Sequence, residues 1–152
     1  SYTGQKPTLF RPCGGEYNDS VQASMKQLGM PLILWDVDTL DWKYRDAASV
    51  KQHILDGAQD GAIVLEHDLY ETTVEGVLAA IDELQQQGYA FVTVSELAKI
   101  KGVTLEPGQV YTGFTDEDLG LTTETDAAAN SESTDSTNST ANTQASDSTS
   151  SN

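Results

Sequence analysis

The stretch "GAIVLEHDLY", residues 61–70, sets an unbroken apolar run against an abrupt polar end in Glu66, His67 and Asp68. An uninterrupted run of Ala62, Ile63, Val64 and Leu65, rather than an alternating one, marks a strand covered on both faces, which is how parallel sheets are built. Its neighbours fit that frame. "PLILWDV" (31–37) is a second apolar, β-prone run, and "TLF" (8–10) and "YAFVTV" (89–94) read as two more strands. Between them lie helical periods. "DSVQASMKQLG" (19–29) has Asn18, Asp19 or Ser20 as N-cap and Gly29 as stop, and residues 47–59 place Val50, Ile54 and Ala58 on one face. "TTVEGVLAAIDELQQQG" (72–88) is the clearest helix, with Val74, Val77, Leu78, Ile81 and Leu84 expected to form its buried stripe; "SELAKIKG" (95–102) reads as a short closing helix and "DTLDWKYRD" (38–46) as a loop. Four strand-helix units in series require parallel strands with right-handed crossovers, so the class is α/β, either an open sheet or part of a barrel.

Composition bounds the function. The chain has 152 residues, 38% of them hydrophobic, enough for one modest core. Its formal charge is −16; residues 115–152 hold eight acids and no Lys or Arg, so residues 1–114 carry 16 acids against 8 bases. No Lys/Arg run exists to neutralise phosphates, which argues against nucleic acid as a partner. No stretch approaches the roughly 18 apolar residues of a membrane span, and "SYTGQKPTLF" lacks the sections of a signal peptide. The lone Cys13 forbids an internal disulfide. From residue 115 on, Ser and Thr dominate and apolar side chains almost vanish after Leu121, so 115–152 is expected to be a disordered acidic tail, a solvating extension or linker, with a surface-anchoring spacer as the alternative.

In parallel α/β folds functional side chains gather at the carboxyl ends of the strands. Those positions carry Arg11 after "TLF", Asp38, Asp41 and Trp42 after "LILWDV", and His67 after "AIVLE". Each has a bland reading: a loop-bracing Arg, a turn Asp, a rim aromatic, a satisfied strand-end His. Their convergence on one edge favours chemistry. Asp68 reads as turn-bracing, and His53, inside "VKQHIL", as an ordinary helix residue.

"TLFRPCGGEYN" (8–18), "ILWDVDTLDWKYRD" (33–46), "IVLEHDLY" (63–70) and "GYAFVTVSELA" (88–98) resemble the later motifs of the NodB-type polysaccharide deacetylases, in particular the secreted peptidoglycan and chitooligosaccharide enzymes of Gram-positive bacteria. The resemblance implies that residues 1–114 are the C-terminal part of a distorted (β/α) barrel that removes the acetyl group of N-acetylglucosamine in an acetylated polysaccharide, using a divalent metal, usually zinc. It implies His67 as general acid, Asp41 as the carboxylate that favours its imidazolium form, and Arg11 as the group orienting an Asp base. It further implies Trp42 and Leu65 as lining of the acetyl pocket, and Gly14, in the Cys13–Gly15 loop, as a backbone donor to the oxyanion.

The same resemblance defines what is missing. The family's Asp-Asp motif and His-x-x-x-His motif, which supply the base and the metal ligands, lie upstream of the Arg11 loop and have no counterpart here. The metal ligands are therefore expected to be absent from this chain, the missing N-terminal half of the barrel to be a partner, and the chain alone to be inactive. The alternative is a non-catalytic glycan-binding or dimerising remnant of the fold. A Cys13 nucleophile is disfavoured because no His accompanies it in the loop. A Rossmann-like site lacks its G-x-G-x-x-G. An extracellular or cell-wall location in a Gram-positive bacterium is what the resemblance implies.

Overall fold

The computed structural model describes residues 4–121. The helices are α1 (Asp19–Leu28), α2 (Asp41–Tyr44), α3 (Ala47–Gly57), α4 (Glu71–Gln86) and α5 (Val94–Ile100), and the strands are β1 (Leu32–Ile33), β2 (Val37–Asp38), β3 (Val64–Leu65) and β4 (Val110–Tyr111). The described strand pairs, β1 with β4 and β2 with β3, are parallel, as the sequence predicts. Segment 32–38 contributes a strand to each of two two-stranded sheets, β1-β4 and β2-β3. Leu32 and Leu34 donate to Gln109 and Tyr111, Ile33 donates to Phe10, and Asp36 donates to Ile63. The "TLF" strand is thus reduced to a single bridge, Phe10 to Leu32. β4, absent from the sequence reading, is a two-residue strand after a Pro-Gly turn, too short to show a period.

The helices begin where short polar side chains take up the free N–H groups. Asn18 accepts from Val21 at 3.0 Å and Asp46 from Ser49 at 2.8 Å, while Gly29 ends α1 at φ 75°, a conformation that costs glycine little. Val50 and Ile54 of α3 pack against Ala80 and Leu84 of α4 to form the main apolar cluster. Here the expected α4 stripe needs correction. The buried residues are Thr73, Gly76, Ala80 and Leu84, whereas Val74 is 44% and Leu78 58% exposed. Small residues choose the face: a Cβ on Gly76 would lie 2.6 Å from the Ala47 carbonyl oxygen and 2.8 Å from Val50 Cβ. Gly76→Ala is therefore expected to lower stability by up to about 2 kcal/mol in urea unfolding, the overpacking cost of roughly 1–3 kcal/mol less the helix-propensity gain of about 1 kcal/mol.

Two further expectations are corrected. "YAFVTV" is not a strand: residues 89–93 form no ladder with any described segment, Phe91 and Val92 are exposed, and Thr93 instead opens α5 through a reciprocal cap with Glu96. β-propensity becomes a strand only when a neighbouring edge accepts its hydrogen bonds. Between 89–94 and β3 lies an open groove of about 820 Å³, lined by Val64, Leu84, Tyr89, Phe91, Val92 and others. The boundary drawn at 114/115 also falls inside packed structure. Phe114 and Thr115 are buried, and Asp118 accepts from the Thr115 N–H (2.9 Å) and hydroxyl (2.7 Å), closing a turn through Leu121. The Ser/Thr-rich segment from residue 122 lies outside the described residues.

Candidate active site

β2 and β3 run side by side, with Asp38 opposite Leu65, so the chain leaving each strand emerges at the same edge. The buried Thr39 fastens the two ends, its hydroxyl donating to the Leu65 carbonyl at 2.9 Å. After β2 the backbone turns sharply into α2. Leu40 (φ 53°) and Arg45 (φ 49°), which bracket it, are the two non-glycine residues at positive φ among those described. Asp38, flagged as a candidate, accepts from the Leu40 N–H at 2.9 Å and so holds the first of these turns. A four-residue helix is too short to show a period, which is why this segment reads as a loop in the sequence.

That turn drives Asp41 inside. The residue is 0% exposed, and its carboxylate accepts four hydrogen bonds: from the Trp42 N–H (2.7 Å) and the His67 ring Nδ1 (2.9 Å) at Oδ1, and from the His67 N–H (2.7 Å) and the Thr73 hydroxyl (3.0 Å) at Oδ2. Burial drives the carboxyl up, but the His67 ring, the His67 N–H, Thr73 and Trp42 outweigh it and leave it below the ordinary 3.8. An ionised Asp41 fixes the proton on His67 Nδ1 and turns Nε2 away from the pair. The His67 side chain remains 29% exposed. The flanking Glu66 has its carboxyl pushed up, first by desolvation and then by the charge on Asp41. Asp68 is exposed and braces nothing, with no side-chain hydrogen bond among the described residues, contrary to the turn-bracing expectation.

Thr73 escaped the sequence reading, because a Thr in the first turn of a helix ordinarily faces solvent or caps it. Only the i, i+3 succession Thr73, Gly76 of small residues hinted at that face. Thr73→Val is expected to cost about 1–2 kcal/mol, the penalty for removing one donor from a buried carboxylate, with Thr73→Ser losing less; urea unfolding of both variants measures it.

The remaining candidates are placed less closely. Trp42 is half exposed, its ring free to meet a ligand. Leu65 is buried and shares a cavity of about 310 Å³ with Arg11, Phe10, Ile33 and Trp35. Arg11 is exposed and Gly14 takes φ 65° in the turn Cys13–Gly15, which lies against Trp35; no hydrogen bond joins either to the Asp41–His67 pair. Cys13 is an exposed free thiol. His53 Nδ1 lies 2.7 Å from the Ser49 carbonyl oxygen, and its ring stacks on Tyr44. Among the described residues no group of three or more His, Cys, Asp or Glu is arranged to hold a metal ion. The donor set present therefore does not fit the family's metal.

The chain forms a partial domain of the NodB-type polysaccharide deacetylases. No family model matches the chain. Individual proteins do. Peptidoglycan-N-acetylglucosamine deacetylase PgdA of Listeria monocytogenes is 45% identical over 114 residues, 75% of this chain and 23% of that protein. A family 4 acetyl xylan esterase from Clostridium thermocellum, solved with a cobalt ion, superposes with a TM-score of 0.66 at 28% identity, over 74% of this chain and 56% of that one. A pseudoenzyme of the same family from Bacillus anthracis gives 0.57 at 34% identity, over 61% of this chain and 33% of that one. The chain thus spans under a quarter of the Listeria protein and about half of the esterase structure.

Proposed function

We propose that this chain supplies the proton-donating part of a glycan N-deacetylase site, with acetylated peptidoglycan or a chitin-like oligomer as substrate. The observation that carries the reading is the Asp41–His67 pair, with Nδ1 held at 2.9 Å and the rest of the ring partly exposed. In amide hydrolysis, water adds to the acetyl carbonyl and the tetrahedral oxyanion collapses only if the departing amine is protonated. His67, as imidazolium, gives its Nε2 proton to that nitrogen, and the buried Asp41 stabilises the charge before transfer and holds the ring's direction. Leu65 and the Trp42 ring supply apolar surface for the acetyl methyl. Arg11, exposed on the neighbouring loop, is the group we assign to orienting a base carried by another segment. Gly14 is the backbone donor we assign to the oxyanion. Activation of the water is assigned to no residue of this chain, and a divalent metal, zinc by family resemblance, belongs with the segment that carries the base.

The partner that completes the barrel is proposed to cover the groove beside β3 and pair with residues 89–93. A cell-wall location outside a Gram-positive cell follows from a peptidoglycan substrate, and antibody labelling of intact cells checks it. The functional test joins this chain behind the upstream part of the Listeria relative. Acetate release from N-acetylglucosamine oligomers by the chimera, with none from residues 1–152 supplied with zinc, is the expected result. Release by the isolated chain overturns the division of the site.

The Bacillus anthracis pseudoenzyme among the structural relatives favours one second reading, a non-catalytic module that binds glycan or dimerises. A chimera without activity, together with glycan affinity or a stable dimer of the chain in sedimentation, would favour it.

A further inference from the structure

We propose that Arg45 is a positioning residue that straps the α2 turn to the start of α4 and thereby holds the 66–70 turn, and the His67 ring, against Asp41. The guanidinium carbon of Arg45 lies 4.5 Å from the centre of the Tyr70 ring, and its Nη2 donates to the Tyr70 hydroxyl at 3.4 Å. These residues sit at the two ends that matter. Arg45 closes α2, its backbone N–H donating to the Asp41 carbonyl at 3.1 Å, and Tyr70 is the residue from which α4 starts, three beyond His67.

The 66–70 turn has few other anchors on its outer side. Asp68 makes no side-chain hydrogen bond among the described residues, and Leu69 is 78% exposed. The inner anchors, Asp41 to His67 and Asp41 to Thr73, all converge on one carboxylate. Arg45 and Tyr70 form the independent outer tie. Acids outnumber bases two to one in residues 1–114, yet this guanidinium makes no ion pair among the described residues and lies on an aromatic face. Its backbone is also left-handed, a conformation that glycine would adopt without steric cost. A long side chain at such a position is explained by what it reaches.

The strain makes the test discriminating, because Arg45→Gly relieves the backbone while deleting the strap. The functional meaning rests on the reading of His67 as proton donor; the geometry does not. The measurement is solvent exchange of the His67 Nδ1 proton, by NMR on the full 152-residue chain, beside the urea midpoint of each variant. Arg45→Gly and Tyr70→Ala are expected to speed exchange about two- to fivefold, the range of an exposed cation–π contact, with the Arg45→Gly midpoint unchanged or higher. Arg45→Lys keeps a cation over the ring and is expected to recover part of the protection, and Tyr70→Phe most of it. Exchange equal to wild type in both disruptive variants overturns the strap, as does exchange that rises only as the midpoint falls. A chimera indifferent to His67 would refute the proton-donor reading and leave this result standing.

Discussion

Asp41→Ala is expected to destabilise the chain by about 3–5 kcal/mol, the cost of breaking a buried, hydrogen-bonded charge. Removing this carboxylate leaves the Thr73 hydroxyl and the backbone N–H groups of Trp42 and His67 without an acceptor at a fully buried site. The partly exposed His67 ring finds water, so the loss should fall toward the lower end of that range. Asp41→Asn keeps the shape and separates charge from packing. Because the folded carboxyl sits below its ordinary 3.8, the stability its ionisation contributes is complete above that value and fades as pH falls through the lower folded one. Urea unfolding should thus show a wild-type minus Asn difference that shrinks as pH falls below the ordinary carboxylate range. A difference that does not shrink there would mean Asp41 is not ionised in the folded chain.

His67→Ala in the chimera should lower the rate of acetate release by about 10²–10⁴-fold, the usual contribution of a positioned general acid. The loss should fall mainly on kcat, because the ring is assigned to proton transfer rather than to holding sugar. Asp41→Asn should give a smaller loss, because an amide oxygen in place of Oδ1 still accepts from the His67 ring and holds its direction. Exogenous imidazole offers a further check, since a small diffusible acid replaces a missing donor but not a missing structural contact. Activity within about threefold of the parent in His67→Ala would remove His67 from the chemistry, against the scale expected of such a group.

Local signals carried the parts of the fold that local physics decides. The ends of α1 were legible because Asn18 and Gly29 act within one helical turn of themselves. The parallel pairing of β2 with β3 followed from two unbroken apolar runs separated by a helical period. What failed depended on partners far along the chain. The buried face of α4 was set by how closely α3 approaches Gly76, which hydrophobicity along α4 does not encode. Residues 89–93 carry strand chemistry without a strand edge beside them. At the site, the convergence of Asp41 and His67 on one edge was visible from strand order, and their assignment as a pair came from family resemblance. Thr73 and Arg45 were invisible, since nothing in either's immediate sequence announces that it reaches Asp41 or Tyr70.

The left-handed bracket around α2 has a consequence for how such a site can be altered. Adjacent residues on one short turn face opposite ways, Asp41 fully enclosed and Trp42 half open to solvent. On the reading proposed above, the interior charge and the ligand-facing ring occupy neighbouring codons while sharing almost no surroundings. Under that reading a substitution at position 42 changes glycan preference with the interior carboxylate left as it is.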